Sequence, residues 1–185
     1  MENRPFHDPW NSHQFAGLHC TGISKECKIA AMHILAISSV VSAVASIASA
    51  VFTDRFLMDR IPVIGSFAGF ELSYNSGIAF GIQLPPVVQE VLIGIALVLV
   101  AIIAVRHIQK AVSCPSERRT GRAGQLSAVS FGLILGGGIA NVIDRIPDGL
   151  VTDFIQMGTF PTFNIADSCI TVGAALLLWE SWRHR

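Results

Sequence analysis

Four stretches of the chain carry almost no charge, and each is long enough to cross a bilayer as a helix. Residues 29–53 contain no Asp, Glu, Lys or Arg, and at about 1.5 Å per residue such a run exceeds a hydrocarbon core about 30 Å thick. Residues 86–105 carry only Glu90, near their start, and end at Arg106 and His107. Residues 123–143 carry no charge and lie between Arg122 and Asp144. Residues 163–182 carry only Asp167 and Glu180, with Trp179 and Trp182 placed like an interfacial belt. The pattern predicts four transmembrane helices, over about 29–52, 86–105, 123–143 and 163–182. Residues 29–185 then form one four-span membrane domain behind a polar tail, residues 1–28.

Between the first two runs the period changes. Phe70, Leu72 and Tyr74 alternate with Glu71 and Ser73, and a period of two predicts a strand. Asn75-Ser76-Gly77 reads as a turn because Asn and Gly tolerate positive φ, with Ile78-Ala79-Phe80 returning as a second strand. The fold class expected is an all-α polytopic membrane protein with a small extracytoplasmic β-sheet or hairpin, of which an ordinary hairpin loop is the plainer version. In the first span Ser38, Ser42, Ser46 and Ala50 recur every four positions, a face on which another helix can approach closely.

Charge orients this layout. Ten of the thirteen Lys and Arg fall in the amino-terminal tail, the loop between spans two and three, or the carboxyl end; Arg55, Arg60 and Arg145 are the exceptions. Short cytoplasmic loops hold the positive charge, so both termini are expected in the cytoplasm and two sparsely basic loops outside. Thirteen acids balance the thirteen bases, which leaves no basic excess for a nucleic-acid partner. At 14% charged and 51% hydrophobic the chain is far from the roughly 25% charged of soluble domains. Ala48-Ser49-Ala50 looks like a signal-peptide cleavage site, but the apolar run before it is longer than the usual 7–15 residues or so.

The cysteines and histidines supply no site. Cys20, Cys27 and Cys114 fall in segments expected to be cytoplasmic and Cys169 in the fourth span, so no disulfide framework is implied. His13, His19, Cys20 and Cys27 match no zinc spacing and read as a solvated tail. His7, His33, His107 and His184 also lie in or near cytoplasmic segments, which disfavours a Ser-His nucleophile or a His metal site on the outer side.

The outer side carries acids instead. Asp144, Asp153 and Asp167 lie in or beside the second outer loop. Asp167 sits a few residues into an apolar helix, where an ionised side chain costs roughly 2.5 to 3.5 kcal/mol. Pairing with Arg145 or snorkelling at the helix end would account for it. Asp153, in Val151-Thr152-Asp153-Phe154-Ile155, also has apolar neighbours. If Asp153 and Asp167 face each other, like-charge repulsion keeps one proton between them. The ionised acid then serves as general base on water while its protonated partner polarises a carbonyl, the chemistry of aspartic proteases. Asn141, Asp144 and Arg145 share one helical face, and Asn164 precedes Asp167 by three. These side chains could hold an extended peptide or simply join helices, and Gly136-Gly137-Gly138 would allow close approach in either case.

At these residues the sequence resembles the lipoprotein signal peptidases, the type II signal peptidases of bacterial membranes. Asn75-Ser76-Gly77-Ile78-Ala79-Phe80-Gly81 is similar to the family block N-x-G-x-A-F, and Gly136 to Arg145 to G-G-x-x-x-N-x-x-D-R. Val151 to Phe154 is similar to V-x-D-F, and Phe163 to Ser168 to F-N-x-A-D-S. The resemblance covers residue 29 to the carboxyl terminus. It implies an intramembrane aspartic endopeptidase that removes the signal peptide from diacylglyceryl-modified prolipoproteins by cleaving before the lipidated cysteine. By position it implies Asp153 and Asp167 as the catalytic dyad. Asn75, Gly77, Ala79, Asn141, Arg145 and Asn164 become substrate-binding or supporting residues, with Asp144 ordering Arg145. No metal or organic cofactor is implied. The expected setting is a monomer in the bacterial cytoplasmic (inner) membrane, with the site near the outer leaflet and membrane lipid and prolipoproteins as partners. Where the family commonly has D-Q-x-[ST]-K after the first span, this chain has Asp54-Arg55-Phe56-Leu57-Met58, keeping the acid and replacing the lysine with methionine. The rivals are a small four-span transporter or channel using an intramembrane acid, and a non-catalytic scaffold subunit.

Overall fold

The computed structural model describes residues 12–77, 85–111 and 120–183. Chain order runs α1 (Ser12–Phe56), β1 (Ile61–Ile64), β2 (Ala68–Asn75), α2 (Pro86–Ala111), α3 (Thr120–Arg145), β3 (Val151–Met157), β4 (Phe160–Phe163) and α4 (Ile165–Arg183). Three segments, Lys25–Phe56, Val87–Lys110 and Gly124–Arg145, are long and apolar enough to cross a membrane. Val40, Val44 and Val51 on α1 and Val98, Leu99 and Ile102 on α2 stand exposed, as side chains do whose surroundings are lipid rather than protein. The protein is a mostly helical, multi-pass membrane protein with a small antiparallel sheet. α1 runs unbroken through position 28, where the sequence pattern changes from polar tail to span.

α3 is the middle helix, packed on each of the other three, and small residues put it there. Ser42 and Ser46 of the four-residue stripe on α1 are buried. A side chain added at Gly136 would collide with the Ser42 hydroxyl and the Ser39 carbonyl. A Cβ at the next residue, Gly137, would come within 2.5 Å of the Ala166 carbonyl oxygen on α4. Adjacent glycines therefore let α3 seat two helices at one level, the close approach that drives helix association in lipid. Toward the opposite end, Ala31 and Leu35, Ala104 and Ile108, and Ala128 and Phe131 close the core among α1, α2 and α3.

The four strands form one antiparallel sheet in the order β1-β2-β3-β4. The strand expected over 70–74 is present within β2, but its partners are β1 and β3. The return strand expected over 78–80 lies outside the described residues. β3 and β4 occupy what reads in the sequence as a loop; Val151 to Phe154 are buried without alternation, so no period of two marks them. The last helix begins at Ile165 rather than 163, since Phe163 still belongs to β4. Asp54, the acid kept in the altered stretch after the first span, accepts a hydrogen bond from the Tyr74 hydroxyl (2.6 Å) and so ties β2 to the end of α1. Met58, which replaces the lysine, is exposed.

Candidate active site

The end of α4 fixes one acid. Asn164 stands just before α4, where its side-chain Oδ1 accepts the Asp167 N–H (2.9 Å), while Asp167 Oδ2 accepts the Asn164 N–H at 3.4 Å. This reciprocal arrangement is a capping box, and the acid also meets the positive end of the helix dipole. The bonds that end the helix thus fix the Asp167 carboxylate, while its second oxygen, Oδ1, accepts the Asn141 amide N–H from α3 at 2.8 Å.

The second acid comes from the sheet. Asp153 is 1% exposed and lies on β3 opposite Ser73 of β2. Its Oδ1 accepts the Asn164 amide at 2.9 Å and its Oδ2 the Asn75 amide at 3.0 Å. Asn164 Nδ2 also donates to Asn141 Oδ1 (3.1 Å). One chain of hydrogen bonds therefore runs Asn75, Asp153, Asn164, Asn141, Asp167, with three amides interleaving two carboxylates. Burial pushes the Asp153 carboxyl up to about 6. The Asn75 bond opposes that rise, the Asp167 charge adds to it, and the Arg145 charge and the Asn164 bond oppose it. A carboxyl placed this way holds a proton well above the ordinary carboxylate range.

The surrounding residues hold this chain in place. Asn75 Oδ1 accepts the Gly77 N–H (2.9 Å), which closes the turn after β2. Arg145 is buried, and its Nη2 donates to the Gly77 carbonyl (2.6 Å) and its Nη1 to the Asn141 carbonyl at 3.4 Å. Among the described residues its ion-pair partner is Glu90, 3.9 Å away, and neither Asp167 nor Asp144. Asp144 instead accepts the Thr152 N–H (2.6 Å), docking β3 on the end of α3 one residue before Asp153. Ala79 lies outside the described residues.

Two contributors escaped the sequence reading. Gln89 is buried and donates to the Ser76 carbonyl at 3.1 Å, so α2 grips the same turn that Arg145 grips from α3. Glu90 faces Arg145. The signal was available: Glu90 is a lone charge in an apolar run, the very argument that singled out Asp167.

Beside the chain lies a cavity of about 640 Å³, whose lining includes polar Asn75, Asn141, Arg145 and Asp167 and apolar Ile93, Phe163, Ile170 and Val172. Asp167 lines it, and Asp153 is joined to that lining through the Asn75 amide. Among the described residues no cluster of His, Cys, Asp and Glu could hold a metal ion. The arrangement offers two carboxyls joined by amide donors beside a cavity with both polar and apolar lining, which suits polar chemistry on a substrate that is partly lipid-like.

The sequence profile described as signal peptidase (SPase) II matches residues 30–183. A lipoprotein signal peptidase of Chlorobium luteolum is 39% identical over 142 residues, 70% of this chain and 77% of that protein. One from Moorella thermoacetica is 37% identical over 125 residues, 66% and 73% of the respective chains. Two bacterial membrane enzyme structures solved by the in meso method share the fold. One has a TM-score of 0.63 at 24% identity, covering 80% of this chain and 87% of its own. The other has a TM-score of 0.59 at 25% identity, covering 78% and 89%.

Proposed function

The chain belongs to the signal peptidase II family, and from that premise we propose that it is an intramembrane aspartic endopeptidase with Asp153 and Asp167 as its dyad. The observation that carries this reading is the unbroken hydrogen-bonded chain that joins the two acids through Asn164 and Asn141. The substrate is a diacylglyceryl-modified prolipoprotein, cleaved before the lipidated cysteine. Its acyl chains rest against the apolar lining residues of the cavity while the peptide meets the polar ones.

The dyad shares one proton. The ionised acid takes a proton from a water molecule, whose oxygen attacks the scissile carbonyl carbon, and the protonated acid donates a hydrogen bond to the carbonyl oxygen. Collapse of the tetrahedral intermediate breaks the C–N bond, and a dyad proton passes to the leaving amine of the cysteine. Asn75, Asn141 and Asn164 hold the carboxylates, Arg145 with Gly77 holds the turn that carries Asn75, and Asp144 holds β3. Ala79 belongs to the same block. No metal or organic cofactor takes part.

In this reading α4 is the fourth span, both termini are cytoplasmic, and the site faces the outer leaflet of the bacterial inner membrane in a monomer. A transporter would place its acid deep in a span and facing a pore. The acid here lies in the first turn of α4 as part of its cap, which favours the peptidase. The test is cleavage of a synthetic prolipoprotein peptide, with and without diacylglycerol on its cysteine, by the purified protein in micelles. Mass spectrometry should find a new amino terminus at the lipidated cysteine and no cleavage of the unmodified peptide. Equal cleavage of both would refute the lipid requirement.

A further inference from the structure

The opposite end of α2 carries a feature that peptide hydrolysis does not use. Arg106 and Lys110 of α2 stand with Lys28 of α1 around a cleft of about 460 Å³ that Gln109 completes. Among the described residues none of these three cations has an ion pair, because the two ion pairs belong to Arg60 and Arg145. Glu180, the buried acid of α4, is occupied by the Ser127 hydroxyl. Three cations with no ion pair among the described residues, gathered around one cleft, repel each other and attract an anion.

A second observation says which kind of anion. An apolar groove of about 470 Å³ on α2, lined by Val98, Ala101, Ile102 and Val105, runs into Arg106 and Gln109 of that same cleft. Val98 and Ile102 are exposed. A soluble anion would use the cleft alone, whereas an anionic phospholipid has a phosphate for the cleft and an acyl chain for the groove. Basic pockets between transmembrane helices commonly take anionic headgroups.

We propose that the cleft of Lys28, Arg106 and Lys110, with the groove from Val98 to Val105 beneath it, binds one anionic phospholipid in the leaflet at that end of α2. The test is native mass spectrometry of the full-length protein in detergent, with added phosphatidylglycerol or phosphatidylcholine. Wild type should retain one phosphatidylglycerol and no phosphatidylcholine. The double variant Arg106→Gln/Lys110→Gln should bind phosphatidylglycerol roughly 30-fold more weakly, from the usual contribution of a basic residue at an anionic surface. Ala101→Phe, which fills the groove and leaves every cation in place, should also lose it. Millimolar inorganic phosphate should not displace the lipid. Equal melting temperatures of wild type and both variants in phosphatidylcholine micelles show that the fold is unchanged. Undiminished phosphatidylglycerol binding by either variant, or displacement of the lipid by inorganic phosphate, would overturn the proposal.

Discussion

The two ends of α4 each hold an acid against α3, and the acids do different things. Near the amino end Asp167 meets Asn141 and Asn164, and through them a second acid, beside a cavity. Near the carboxyl end, about 20 Å away by helical rise, Glu180 is buried and accepts one hydrogen bond, from Ser127 at 2.6 Å. Glu180 is buried and Asp167 half-buried. What distinguishes the first is a partner acid brought by a separate element, β3, with amides that leave each carboxylate oxygen satisfied. An acid in an apolar helix is thus a question, and its neighbours answer it: Glu180 joins helices, whereas Asp167 has what general acid–base chemistry needs.

Asn164 is the most vulnerable joint between the two acids, because one side chain bonds Asp153, Asn141 and the Asp167 N–H together. Asn164→Ala should lower the rate of prolipoprotein processing about 100-fold or more, as loss of a donor to a charged reacting group does. It should also remove about 1 kcal/mol of stability through the lost helix cap, read by thermal unfolding.

Asn75→Ala should lower kcat/KM by about 10- to 100-fold, in the range of lost supporting bonds. It should also shift the pH profile. In the proposed mechanism one proton stays on the pair, so wild-type kcat/KM should fall as pH rises above about 6, the value to which burial lifts the Asp153 carboxyl. The Asn75 bond favours the ionised form, so its loss should move this alkaline limb upward. The stability linkage has the matching sign. A folded carboxyl raised from 3.8 to about 6 contributes stability that is complete below the lower value and is lost as pH climbs through the upper. Denaturant titrations from pH 3 to pH 8 or so, on wild type and Asp153→Asn, check that slope.

Gln89→Leu should cost about tenfold in kcat/KM in the wild-type background, at the low end for a supporting residue. In Asn75→Ala it should cost almost nothing, because both changes release the same turn. A smaller effect belongs to the other end of α4. Glu180→Gln should change processing by less than about twofold, because it lies far from the dyad, while altering stability by about 1 kcal/mol as the bond to Ser127 weakens.

The sequence showed the helices more fully than the sheet, for a physical reason. Runs without charge announce α1, α2 and α3 in any order of neighbours, and the serine stripe of α1 announced its face toward α3. β3 depends on packing from both sides, so its first four residues carry no alternation. Asp153 and Asp167 stood out because an acid among apolar residues needs compensation. How they are compensated did not stand out. The Asn164–Asp167 cap is written in the order Asn-Ile-Ala-Asp before an apolar run, whereas the grip of Gln89 on Ser76 depends on where α2 docks. The expectation that Asp144 orders Arg145 meets a geometry in which Asp144 holds Thr152 and Glu90 faces Arg145.

Asp153 and Asp167 are proposed to act as one unit. The most direct measurement is processing of a diacylglyceryl-prolipoprotein in membranes that hold equal amounts of wild type, Asp153→Asn, Asp167→Asn or the double variant. That unity requires each single variant to lose cleavage as completely as the double one while remaining inserted, because either substitution removes one of the two carboxyls between which the proton is shared. Cleavage near the wild-type rate in either single variant would contradict it.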